Sequence, residues 1–239
     1  MNVKTEMIDP FLAKVDAVLA GGYSAVLYGS VARGDHIPGV SDVNLMLIVE
    51  HLDSETLTRL EAPFVAWMDH KLPPPLILTA SEWRRAGDVF PVEIADMKVA
   101  YRVLRGDDPV VGQVVKRSDL RRALEREFRG KLTRLRQGFI PSERKPEDLG
   151  AIARQSIASV AALFRALLHL AGRTPPADLP GALGDVGELV GFDPTPLKAI
   201  AEHRGDVKWK CRREDFEAYM TAIQRTVQYV DELQLGEQE

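Results

Sequence analysis

The sequence contains a single cysteine, Cys211, among its 239 residues. An internal disulfide is therefore excluded, and so is a zinc site built on several cysteines. Aromatic residues make up only 7% of the chain, whereas 45% of the residues are hydrophobic and 28% are charged. These proportions are typical of a globular protein that is long enough to form one large or two modest domains.

The sequence also lacks an excess of positive charge, since 31 Lys and Arg residues stand against 35 Asp and Glu residues and the formal net charge is −4. This balance argues against a protein dedicated to binding polyanions, although it does not exclude a local basic groove or nucleic acid. No apolar run is expected to span a membrane, and the first fifteen residues lack the hydrophobic core of a signal peptide. We therefore expect a cytoplasmic protein.

The most informative stretch is AVLYGSVARGDHIPGVSDVNLMLIVE, residues 25–50. It predicts a strand over residues 25–28, a Gly-Ser turn, a short helix and a second strand over residues 43–49. Asp42 and Asn44 are two residues apart at the start of the second strand, so their side chains should leave the sheet on the same face. They are expected to face the Gly-Ser turn.

The Gly-Ser turn, Gly29 and Ser30, has the chemistry that a triphosphate needs. A glycine lets the backbone approach a phosphate closely, and the serine hydroxyl and nearby backbone N–H groups can bind the anion. Carboxylates on the opposite side would hold divalent ions that bridge the phosphates. The stretch therefore predicts a nucleotide site between two strands.

This stretch resembles the signature of the DNA polymerase β-like nucleotidyltransferase superfamily, in particular its small bacterial, aminoglycoside-nucleotidyltransferase-like members. The signature is a hydrophobic residue, Gly-Ser, a spacer with Arg-Gly, and then Ser-Asp-x-Asp within a strand. The positions that match it are Gly29, Ser30, Arg33, Gly34, Ser41 and Asp42. At Asn44 the superfamily has Asp or Glu, so the second catalytic carboxylate is replaced here by an amide.

The resemblance implies transfer of a nucleoside monophosphate from a nucleoside triphosphate (NTP) to a hydroxyl acceptor, with Mg²⁺ or Mn²⁺ as the cofactor. The residues that it assigns to nucleotide binding are Gly29, Ser30, Arg33 and Ser41. Those that it assigns to metal binding and catalysis are Asp42, position 44 and a third acid. An asparagine can still offer a carbonyl oxygen to a metal, but a full negative charge is lost.

The superfamily takes its third acid from a later strand, and the predicted strand over residues 92–97 offers Glu93 and Asp96. Residues an odd number of positions apart lie on opposite faces of a regular strand, so at most one of them can join Asp42. We favour Glu93, which is flanked by apolar residues, as the third metal-binding and catalytic acid. Asp96 or Asp35 could supply the charge missing at Asn44.

The pattern changes to continuous helix after about residue 112. We therefore predict an α/β (α+β) nucleotidyltransferase-like domain with a mixed sheet over residues 1–112, and a helical bundle over residues 113–239 that binds an acceptor or a partner. Residues 149–171 form the most apolar predicted helix, which indicates a central position in the bundle. Arg165 within it forms either a structural ion pair or part of a cleft.

Three functional hypotheses follow from the sequence. The first is a weak or atypical nucleotidyltransferase that uses Asp42 and Glu93. The second is a catalytically degenerate nucleotide-binding sensor, because Asn44 lacks the expected charge. The third is an antitoxin-like interaction protein whose helical half binds a protein partner. The first is favoured because the motif residues Gly29, Ser30, Arg33 and Asp42 are all retained.

Overall fold

The computed structural model describes residues 6–234. The chain divides into two compact units: residues up to 90 together with 100–114, and residues 91–99 together with those from 115 onward. We call them the sheet unit and the helical unit. The second begins close to the change of pattern at residue 112, and it also takes in the short segment 91–99.

The sheet unit is built around a mixed four-stranded sheet in the order β3-β2-β1-β4. Strand β1 is antiparallel to both β2 and β4, whereas β2 and β3 are parallel. Its elements are α1 (Ile8–Leu19), β1 (Tyr23–Tyr28), α2 (Ser30–Arg33), β2 (Asn44–Val49), α3 (Ser54–Met68), β3 (Leu76–Thr79), α4 (Ala80–Arg84) and β4 (Tyr101–Arg105). The predicted mixed sheet is thus confirmed.

Strand β2 is the most apolar part of the sheet, and every residue from Leu45 to Val49 is buried. Its neighbours in the core include Phe11 and Leu12 of α1 and Trp67 of α3. Helix α3 begins at Ser54, because the Asp53 carboxylate caps it by accepting a hydrogen bond of 2.8 Å from the backbone N–H of Thr56. This core holds the start of β2 in a defined position.

The helical unit consists of α5 (Pro91–Met97), α6 (Arg117–Ser142), α7 (Pro146–Leu170), α8 (Leu179–Val190), α9 (Thr195–Glu202) and α10 (Arg213–Glu232). Helix α7 contacts the other five helices and supplies the centre of the core, as its apolar circumference predicted. By length and composition this helix could also cross a membrane, contrary to the sequence-based expectation. The burial of its side chains inside the unit is what a central bundle helix requires.

The strand predicted over residues 92–97 is wrong, because Pro91–Met97 forms helix α5. Proline is favoured in the first turn of a helix, where its missing N–H costs nothing. Val92 and Ala95, three residues apart, are buried in the core of the helical unit. The same spacing puts Glu93 and Asp96 on one side of the helix, so the expectation that they occupy opposite faces is also wrong.

A buried ion pair joins α5 to α7. The Nε atom of Arg165 donates a hydrogen bond of 2.6 Å to Oδ1 of Asp96, and the side chains are 1% and 13% exposed. The structural interpretation of Arg165 is therefore confirmed. Both charges are withdrawn from water, so each depends on the other for compensation.

We expect Asp96→Ala to lower the free energy of unfolding by about 3–5 kcal/mol, because it leaves the buried Arg165 guanidinium uncompensated. Urea unfolding followed by circular dichroism measures this change. Asp88→Ala, at an exposed aspartate, serves as the control and should shift stability by less than about 0.5 kcal/mol. The double variant Asp96→Ala/Arg165→Met should recover part of the loss, and equal destabilisation by Asp96→Ala and Asp88→Ala would contradict the assignment.

Candidate functional site

The turn after β1 has a geometry that only glycine fits. Gly29 has φ 76° and ψ −153°, and a Cβ atom placed on it would lie 2.6 Å from Nδ2 of Asn44. Helix α2 begins at the next residue, Ser30, ends at Arg33, and is followed by Gly34 with φ 84°. The chain thus makes two sharp turns within six residues, one at Gly29 and one at Gly34, and each requires the positive φ that glycine adopts readily.

Asp42 and Asn44 lie on the same side of β2. Val43 and Leu45 are buried in the core, whereas Asp42 is exposed and Asn44 is half-buried. This alternation follows from the period of two in an extended chain. Because Tyr28 pairs with Asn44 across the two strands, the Gly29 corner lies directly beside the start of β2.

The loop between α2 and β2 is held by its own polar groups. The hydroxyl of Ser41 accepts a hydrogen bond of 3.0 Å from the backbone N–H of Ile37, and the Ser41 N–H donates to the Ile37 carbonyl at 2.9 Å. Ser41, which was predicted to bind nucleotide, therefore has a structural role in closing this loop. Only the tertiary structure shows that role.

Arg33 and Asp35 form an ion pair across the Gly34 turn. The Nε and Oδ1 atoms are 3.5 Å apart, and the two side chains are only 8% and 15% exposed. Sequence reasoning placed Arg33 on the nucleotide and offered Asp35 as a source of extra negative charge. The two charges instead compensate each other. Their opposite signs and their spacing of two residues around Gly34 could have predicted this ion pair from the sequence.

Glu93 lies on α5 in the helical unit, not on a strand of the sheet. Desolvation of its carboxyl raises the pKa of Glu93 above the usual value, and the negative charges of Glu127 and Asp96 raise it further. The residue still exposes part of its surface to solvent. Glu93 therefore does not lie on a strand beside Asp42, which the sequence-based prediction required.

The residues around β2 do not fit a magnesium site made of three carboxylates. Strands β1, β3 and β4 carry no aspartate or glutamate, and the segment before β3 consists of three prolines, residues 73–75. Within residues 6–234, no group of three or more His, Cys, Asp or Glu side chains is arranged to hold a metal ion. The alternatives for the missing charge, Asp35 and Asp96, are both engaged in ion pairs. Asp42 is thus the one carboxylate of the motif beside the corner.

A cavity of about 770 Å³ lies at the opposite end of β1 and β2, within the sheet unit. Trp83, Glu50 and Arg84 are among the residues that line it, together with the turns at residues 21–24 and 106–114. The sequence carries no motif at these positions. The cavity is separated from the Gly29 corner by the length of β1.

Comparison with known proteins supports the fold and leaves the activity open. No protein-family model matches the chain, and no curated protein matches it significantly. Among solved structures it is similar to spectinomycin adenyltransferase AAD(9) from Enterococcus faecialis, crystallised with ATP and spectinomycin, with a TM-score of 0.58, 12% identity and coverage of 92% of this chain and 98% of that chain. This likeness confirms the predicted fold class, a nucleotidyltransferase-fold domain followed by a helical domain.

The conformation of Gly29 yields a stability prediction. Gly29→Ala should lower the free energy of unfolding by about 1–3 kcal/mol, because alanine disfavours this backbone conformation and its Cβ would collide with Asn44. Gly39→Ala is a matched control, since Gly39 has φ 78° with no atom within 4 Å of an added Cβ. Urea unfolding should show the larger loss for Gly29→Ala, and a loss no greater than that of Gly39→Ala would contradict close contact with Asn44.

Proposed function

We propose that this chain binds a nucleoside triphosphate at the corner formed by Gly29, Ser30 and Asn44, and that it transfers a nucleoside monophosphate to a hydroxyl acceptor. The observation that carries the proposal is the pairing of Tyr28 with Asn44, which sets the Gly-Ser corner against the start of β2. The likeness in fold to an adenyltransferase crystallised with ATP and spectinomycin supports it.

Each residue of the corner has a role in this proposal. Gly29 allows the phosphates to approach the backbone, and the Ser30 hydroxyl donates a hydrogen bond to a phosphate oxygen. Arg33 and Ser41 act indirectly: Arg33 pairs with Asp35 to hold the turn, and Ser41 closes the loop onto Ile37.

The reaction is an in-line displacement at the α-phosphorus. The acceptor oxygen forms a bond to that phosphorus, the bond to the oxygen bridging the α- and β-phosphates breaks, and pyrophosphate leaves with the electron pair. The acceptor hydroxyl loses its proton to a general base. The carboxylate set does not fit a magnesium pair, so we expect transfer to be slow.

A second candidate is a nucleotide-binding sensor or an antitoxin-like interaction protein that does not catalyse transfer. The amide at Asn44 favours it, as do the ion pairs that engage Asp35 and Asp96. In that case the corner retains its affinity for phosphate, and the helical unit would contact a protein partner.

Transfer can be tested with labelled NTPs, Mg²⁺ or Mn²⁺, and a set of hydroxyl acceptors that includes spectinomycin. The wild type is compared with Asp42→Ala and Asn44→Asp. Turnover by the wild type that Asp42→Ala abolishes would support the enzyme, whereas turnover by Asn44→Asp alone would support the sensor. If nucleotide raises the melting temperature of the protein but no variant forms product, the result would also favour the sensor. A protein that neither binds nor turns over nucleotide would refute the proposal.

A further inference from the structure

We infer that the Gly29 corner binds the phosphates of a nucleotide without a divalent metal, and that the Asn44 amide donates a hydrogen bond directly to a phosphate oxygen. This inference rests on the proposed function, because it requires the nucleotide to bind at this corner. It replaces the expected metal bridge with a direct contact.

The first step of the argument is the chemistry of position 44. A carboxylate is an acceptor with a negative charge, so it repels a phosphate unless a cation lies between them. An amide is neutral and has two N–H donors. Asn44 therefore removes the repulsion between a carboxylate and the phosphate. Its N–H group can also donate a hydrogen bond directly to a phosphate oxygen.

The second step is the position of that amide. Its Nδ2 atom lies 2.6 Å from the place that a Gly29 Cβ would occupy, so the amide lies directly against the backbone of the corner. Asn44 is half-buried and is held in place by the pairing of β2 with β1. The amide itself occupies the space that a Gly29 side chain would need, so a phosphate bound against this part of the backbone would meet the amide.

The third step is the charge around the corner. Arg33 and Asp35 compensate each other in a poorly exposed pair. Strands β1, β3 and β4 add no carboxylate. Asp42 is exposed, so water screens its repulsion of the nucleotide. Of the motif positions 42 and 44, only the first carries a carboxylate, whereas a two-metal mechanism needs several.

Isothermal titration calorimetry with the non-hydrolysable analogue α,β-methylene-ATP can test the inference, in EDTA and again with Mg²⁺ in excess. We expect the Kd of the wild type to change by less than about 3-fold between the two conditions. Asn44→Asp should bind at least about 10-fold more weakly in EDTA and recover with Mg²⁺, because it loses a charge-assisted hydrogen bond and gains a repulsive charge.

Two further variants make the result specific. Asn44→Asp adds a negative charge to this face of β2, whereas Asp42→Asn removes one from the same face. Binding of Asp42→Asn in EDTA should therefore be unchanged or tighter. Asn44→Ala should weaken binding in both conditions, because it removes the donor without adding a site for metal. Thermal unfolding of each variant checks that it is folded.

The outcomes separate the inference from the proposed function. Wild-type binding that weakens 10-fold or more in EDTA would overturn the inference and leave the proposed function standing. Equal binding of the wild type and Asn44→Asp in EDTA would overturn it as well. If no folded variant binds the analogue in either condition, both the inference and the nucleotide site are refuted.

Discussion

The structure of the candidate site depends on one constraint, the antiparallel pairing of β1 with β2 that sets Tyr28 opposite Asn44. The pairing brings the turn after β1 against the first residue of β2, and only a glycine with positive φ fits there. A side chain at Gly29 would displace the Asn44 amide. Backbone geometry and the chemistry of position 44 are therefore coupled, because the Asn44 amide occupies the space that a side chain at Gly29 would need.

Charge is the second determinant of what this site can do. A triphosphate with metal ions requires several carboxylates close together, and these must not be compensated by cations of the protein. Asp35 and Asp96 are each engaged by an arginine, and burial makes those pairs costly to separate. In the nucleotide site that we propose, the retained Asp42 and the amide of Asn44 are better suited to direct contact with phosphate than to a pair of metal ions.

The helical unit shows why sequence patterns misplace short elements. Residues 92–97 were predicted to form a strand because apolar and acidic residues alternate at Val92, Glu93 and Ile94. The segment is a helix because Pro91 is favoured in a first helical turn and because Val92 and Ala95 bury themselves in the core of the helical unit. Seven residues are too few for their own periodicity to decide between the two structures, so tertiary packing decides.

The sequence by itself determined the fold class and the main elements, because long apolar periods and the Gly-Ser, Arg-Gly and Ser-Asp positions are local signals. It also determined that Asp42 and Asn44 share a face, because an extended chain has a period of two. Only the tertiary structure decided that Arg33 and Arg165 pair with acids and that Ser41 closes a loop. It also decided that Glu93 lies on a helix, where desolvation raises the pKa of its carboxyl. These features depend on which groups burial brings together and on the cost of withdrawing charge from water, and neither quantity is encoded in the spacing of residues along the chain.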